Sequence, residues 1–199
     1  AVASKIDSIK NLHLHNRQMQ KLEWMMKTLF YTIIGLLVAC QSTLAANGQV
    51  VEKLLKENHA AIFAVLQKQN LTPVVKNQEI IEIITPMFDF SLMAKLTLGR
   101  KYWPGLTPEQ KERFTQLFIE RLRKSYLERL TLYTDEKVLY NPPVEVKQKI
   151  HIPTNLVSND RMISILYKFH KSGFSWKIYD LEIQGVSIIR SYRSQFHQI

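Results

Sequence analysis

Apolar positions recur at helical spacing through the first part of this chain and alternate with polar ones near its end. Between Gln49 and Gln69, Val50, Leu54, Leu55, Ile62, Val65 and Leu66 fall on one face, with lysines and glutamates between them. That spacing predicts an amphipathic helix. Leu71-Thr72-Pro73 ends it, Asn77 is placed to cap a short helix through Ile84, and Pro86 closes that one. Asp89 is an N-cap for Phe90 to Leu98, with Gly99 as the residue just past the end. Thr107-Pro108-Glu109-Gln110 is a stronger start: Thr107 caps, Pro108 takes the first helical position, and Gln110 completes a capping box. The helix that follows is expected to run to about Leu130. Phe114, Leu117, Phe118, Leu122, Tyr126 and Leu130 form its apolar stripe, leaving Lys111, Arg113, Arg121, Arg123, Lys124 and Arg129 for solvent.

After Thr134 the period changes. Val144 to Ile152 alternates as a half-buried strand does, Met162–Phe169 and Phe174–Ile183 read as two more, and Lys171-Ser172-Gly173 as the turn between them. Val138–Tyr140 adds a short strand ahead of Pro142-Pro143. Gly185 breaks the last strand, and Ser187 caps a final helix with Ile188, Tyr192 and Phe196 on one side. Helices first and antiparallel strands afterwards define an α+β domain, with N-terminal helices packed on a C-terminal sheet of about four strands.

Residues 26–45 have a different character. Met26-Lys27, the apolar run Leu29 to Ala39, and Thr43-x-Ala45 before Ala46 have the layout of a secretory signal peptide. The run is too short for a bilayer span of about 20 residues. Leu37-Val38-Ala39-Cys40 also matches a lipobox, which would make a lipidated Cys40 the mature N-terminus. Soluble export with cleavage after Ala45 and lipidation at Cys40 are therefore two readings of one segment. Residues 1–25 precede the signal layout as an upstream extension, and 46–199 are read as a single domain. Cys40 is the only cysteine, so cleavage after Ala45 leaves a domain without thiol or disulfide chemistry.

The chain is 46% hydrophobic and 22% charged, as an ordinary globular domain is, with a net charge of +10. It stays basic when Lys5, Lys10, Arg17, Lys21 and Lys27 and the acidic Asp7 and Glu23 are set aside. That balance suits an anionic membrane surface, acidic partner proteins or nucleic acid, and export argues against nucleic acid. His59, His151, His170 and His197 stand at no metal-ligand spacing. Neither a phosphate-binding glycine loop nor a nucleophile elbow is present. Asp89, Asp135, Asp160 and Asp180 read as caps and turn residues. The residues describe a binder with no cofactor and no metal, not an enzyme.

Three blocks carry a resemblance. Phe88-Asp-Phe-Ser-Leu-Met-Ala-Lys-Leu-Thr-Leu-Gly-Arg100 is the first, and Trp103 with Leu106-Thr-Pro-Glu-Gln-Lys-Glu-Arg-Phe114 the second. The third runs from Phe174-Ser-Trp176 through Gly185 to Tyr192 and Phe196. Their order and spacing resemble the MlaC-like, or toluene-tolerance, family of periplasmic phospholipid carriers. Family members continue into a further C-terminal helix beyond the point where this sequence stops, and Asn141–Asn159 matches none of the family's motifs.

The resemblance implies a curved sheet and covering helices that enclose an apolar lipid cavity, in a protein that shuttles phospholipid between outer and inner membranes and so maintains outer-membrane asymmetry. It implies as partners an inner-membrane ABC transporter with its lipid-binding ring and an outer-membrane lipoprotein–porin complex. Lining would come from the helix stripe and the inward strand residues: Phe88, Phe90, Met93, Leu117, Leu122, Tyr126, Val146, Ile163, Ile165, Tyr167, Trp176 and Ile178. Arg190 and Arg193 flank Tyr192, and each is a candidate either for a lipid phosphate or for an ion pair with Asp180 or Glu182. The same apolar residues also describe a closed core, so a ligand-free α+β interaction module is the alternative.

Overall fold

The computed structural model describes residues 47–126, 137–158 and 161–198. Helix α1 covers residues 47–66, α2 Pro73–Ile84, α3 Phe90–Tyr102, α4 Pro108–Tyr126 and α5 Ile188–Phe196. Six strands follow α4 in sequence: β1 Lys137–Tyr140, β2 Val144–Val146, β3 Lys149–Ser158, β4 Arg161–Ser172, β5 Ser175–Ile183 and β6 Val186–Ser187. They form one antiparallel sheet in the order β1-β3-β4-β5-β6, with β2 also pairing β3. The α+β architecture is as expected, with two more short strands than the sequence pattern shows.

Local chemistry sets most of the boundaries. Asp89 Oδ1 accepts from the Leu92 N–H at 2.9 Å, and Thr107 and Gln110 exchange both capping-box hydrogen bonds, at 3.2 and 2.9 Å. Ser187 Oγ accepts from the Arg190 N–H at 3.2 Å and starts α5. The cap of α2 differs from expectation. Thr72 Oγ1 accepts from Val75 N–H and Pro73 occupies the first turn, which places Asn77 inside the helix.

The alternation from Val144 to Ile152 is two strands and not one. Lys147, at φ 61°, turns the chain so that Val146 faces Lys149, and a two-residue turn leaves the apolar–polar alternation unbroken. β3 then continues through Pro153 to Ser158, inside the stretch without a motif. Proline fits there because β2 pairs β3 only as far as His151 and β1 begins pairing at Thr154. The β4–β5 turn lies one residue later than predicted, at Gly173 (φ 61°) and Phe174, and Phe174 is fully exposed instead of lying in the strand.

The last helix is tied down by a buried carboxylate at its start and a guanidinium nearer its end. Buried Asp180 accepts from Lys168 Nζ at 3.1 Å, Ser187 Oγ at 2.8 Å and the Ile189 N–H at 3.2 Å. Arg193 does not seek an acid. Its Nε donates to the Leu96 carbonyl on α3 at 2.9 Å, and its Nη2 donates to the same oxygen. Arg190 is the residue that meets Glu182, at 3.3 Å.

Candidate functional site

Register assigns the sheet's residues to two faces, because side chains alternate along each strand. Ile150, Ile152, Thr154 and Leu156 of β3 share a face with Phe169, Tyr167, Ile165 and Ile163 of β4, row by row. Ile178, Leu181 and Ile183 of β5 continue three of those rows across a bulge at Lys168/Phe169. Val138 and Tyr140 of β1 extend the rows of Leu156 and Thr154. Apart from the buried Thr154 this inner face is largely apolar, and the described residues cover its two halves unequally.

In the closed half, Ile150, Ile152, Phe169 and Ile178 are at most 1% exposed and pack with Val51 and Leu55 of α1 and with Met87. In the other half Val138, Leu156, Ile163, Ile165 and Ile183 are only partly buried. Ile183 packs on the second cluster, built on Met93, Phe118, Leu122, Ile188 and Tyr192 from α3, α4 and α5, whereas Val138, Leu156, Ile163 and Ile165 join none of the clusters formed among the described residues. A third cluster, Val65, Leu66 and Ile80 with Ile62, Phe63, Ile83 and Ile84, joins α1 to α2 and includes no sheet residue. Helix α1 thus lies on the sheet through Val51 and Leu55, and its last turns pack against α2 instead. A domain of this size ordinarily closes one contiguous core. Here an apolar strip of sheet is left incompletely covered.

At the boundary between the halves stands a polar triad. His59 of α1 bonds Tyr140 Oη through Nδ1 at 2.7 Å and Tyr167 Oη through Nε2 at 3.0 Å. Burial pushes the imidazole pKa down to about 4, so it is neutral at physiological pH. Burial pushes the Tyr167 hydroxyl far above the ordinary phenol range, with Tyr140 adding to the shift. Both residues nevertheless keep accessible surface.

The predicted lining residues fall into distinct places. Ile163, Ile165 and Tyr167 lie on the inner face at or beyond the triad. Phe88 and Phe90 stack with ring centroids 5.4 Å apart, both half-buried, and Phe88 joins the first two clusters. Met93, Leu122 and Ile178 are buried in closed packing, and Trp176 packs against the closed half. Leu117 and Tyr126 are exposed on α4. Val146 is exposed and does not share the inner face, since its partner Lys149 has the register of His151. His59 and Tyr140 are additions that the sequence reading did not single out. A signal existed, because His59 follows Val51 and Leu55 at four-residue intervals on the buried face of α1. Among the described residues, no group of three or more His, Cys, Asp or Glu side chains is placed to hold a metal ion. No described helix is long and apolar enough to cross a membrane.

The chain belongs to the MlaC family, whose description, "MlaC protein", matches residues 56–199. It is 28% identical over 149 residues to the intermembrane phospholipid transport system binding protein MlaC of Haemophilus influenzae, covering 71% of this chain and 66% of that protein. It is 24% identical over 116 residues to the toluene tolerance protein ttg2D of Pseudomonas putida, covering 57% of this chain and 54% of that one. The chain therefore spans somewhat less than two thirds of either relative. Its fold matches a phospholipid-binding protein from Ralstonia solanacearum, solved in complex with a phospholipid, with a TM-score of 0.67 and 22% identity over 74% of this chain and 85% of that one.

Proposed function

We propose that this protein is a non-enzymatic phospholipid carrier of the periplasm, holding acyl chains against the uncovered half of the sheet's inner face and leaving the headgroup in water. The observation that carries this reading is the apolar strip Val138, Leu156, Ile163, Ile165 and Ile183, partly accessible beside deep-lying Tyr167. Membership of the MlaC family supports it, and so does the name of the H. influenzae relative. Each methylene withdrawn from water is worth about 0.8 kcal/mol. A two-chain lipid therefore needs an apolar refuge worth on the order of 20 kcal/mol to leave a membrane. The inner face supplies aliphatic surface for that purpose, with no cofactor. In this reading, lipid moves between outer and inner membranes, delivered to and received from an ABC transporter ring and a lipoprotein–porin complex. The outer membrane's lipid asymmetry is thereby maintained. The signal layout at residues 26–45 would supply export, with Ala46 or a lipidated Cys40 as the mature start.

Purified exported protein tests this directly. Intact mass decides between Ala46 and a diacylated Cys40. Organic extraction and mass spectrometry of the same sample are expected to show phospholipid near one molecule per chain, and Ile165→Glu to lose most of it with helix content retained. Protein that carries no lipid would be a ligand-free interaction module instead.

A further inference from the structure

We propose that the acyl-chain site suggested above is a bay over the less covered half of the sheet, and that the His59–Tyr140–Tyr167 triad is its floor and sets how long an acyl chain the carrier accepts. This rests on the carrier reading above and adds a specificity determinant to it. Three observations place the floor. Tyr167 pairs with Ile152 on the side of the closed half, while its same-face neighbour toward the open half is Ile165. Tyr140 pairs with Thr154 in the row of Ile165, so its hydroxyl reaches His59 from the next row along. His59 comes from α1 above, one turn past Leu55, the last α1 residue in the closed cluster. Two strands and a helix thus meet at one level through side chains bonded to each other.

The bonding makes this floor firm. A neutral imidazole has one N–H and one bare nitrogen, so one phenol donates to His59 and the other accepts from it. Each ring is then fixed by a partner on another element. Lys56 Nζ lies 5.1 Å from the Tyr140 ring centroid, and this cation–π contact adds a further hold. A chain terminus pushing past the floor would gain about 0.8 kcal/mol per methylene. It would also separate two partly buried hydrogen-bonded pairs, each costing up to about 1–3 kcal/mol where the freed groups stay out of water. The second quantity exceeds the first until several methylenes have passed, so chains a few methylenes too long are disfavoured, and shorter ones are bound less tightly.

The experiment loads delipidated protein from vesicles of phosphatidylglycerol with two 14-carbon or two 18-carbon chains, and compares the ratio bound. His59→Ala removes the hub of the triad, and Tyr167→Leu shortens the floor while keeping an apolar residue on the strand. Each variant is expected to raise the 18-carbon to 14-carbon ratio by about threefold or more, whatever its total lipid uptake. Tyr167→Leu stands alone as the test if His59→Ala does not fold, as circular dichroism will show. An unchanged ratio in a folded, lipid-loaded variant would overturn the floor and leave the carrier intact. Failure of the parent protein to take up either lipid would overturn both.

Discussion

A histidine held between two phenols is a liability in acid. His59 titrates at about 4 in the folded protein against 6.5 ordinarily, because burial opposes its charged form. Between those values the unfolded chain binds a proton that the folded chain does not. Stability from this residue is therefore full above pH 6.5 and is lost as pH falls toward 4. At pH 5 the loss comes to about 2 kcal/mol. His151 acts with the same sign, since burial and the nearby Lys168 and Lys149 also lower its pKa. Glu182 acts in a lower window: its hydrogen bond from Lys168 holds the carboxyl below the usual range, so its contribution disappears only as pH falls through that depressed value. His59→Gln is expected to remove about 2 kcal/mol of the stability difference between pH 7 and pH 5, measured by urea denaturation. An equal difference in parent and variant would mean that His59 is readily protonated in the folded state.

Among the elements, α3 shows how a single backbone torsion shapes the fold. Gly99 sits inside Phe90–Tyr102 at φ 71° and ψ −171°, a region open to little besides glycine, so the chain kinks there before its last turn. A methyl group added at this position would lie 3.8 Å from Arg193 Nε and 3.9 Å from His197 Nε2, so space is adequate and the penalty is torsional. Gly99→Ala is expected to cost about 1–3 kcal/mol. Gly105→Ala, with open space and no positive φ, should stay within about 0.5 kcal/mol by the same denaturation measurement. Equal effects would show that the kink carries no strain. Gly99 was legible in sequence as the end of a helix, as were the caps Asp89, Thr107 and Ser187, because each acts on its own neighbours. What sequence did not reveal depends on contacts between distant segments. Pro153 reads as a strand breaker until the gap between β1 and β2 is known. Val146 reads as an inward residue until the turn at Lys147 resets the register. Ile163 and Ile165 enter the lining through the family resemblance and strand alternation, but alternation does not tell an open inner face from a closed one. His59 joined the site only when folding brought it to Tyr140 and Tyr167, 81 and 108 residues away.

At the scale of the whole domain, the carrier reading assigns lipid to the apolar strip and partner recognition to the basic face of α4. Helix α4 turns Thr115, Phe118 and Leu122 inward and keeps Arg113, Arg121 and Lys124 exposed, while Lys111 and Arg123 are half-buried and Arg129 lies outside the described residues. Lys111 is engaged over the Trp103 ring, 6.0 Å from its centroid. Solvated charges of this kind govern encounter with an oppositely charged partner more than they govern a ligand held among aliphatic side chains. Their reach is about 10 Å at 0.1 M salt and shrinks as ionic strength rises. On the proposed carrier reading, reversing Arg121 and Lys124 together to Glu is therefore expected to slow lipid delivery severalfold at low salt to membranes bearing the proposed transporter partner. The difference should fade as salt is added, and the lipid bound to the isolated carrier should stay at the parent level. Delivery rates across a salt series, with bound lipid quantified on the same preparation, separate the outcomes. A variant that sheds its lipid and delivers normally once reloaded would place these residues at the bay instead of at a docking surface. No change in either measurement would make the basic face of α4 a solubilising surface.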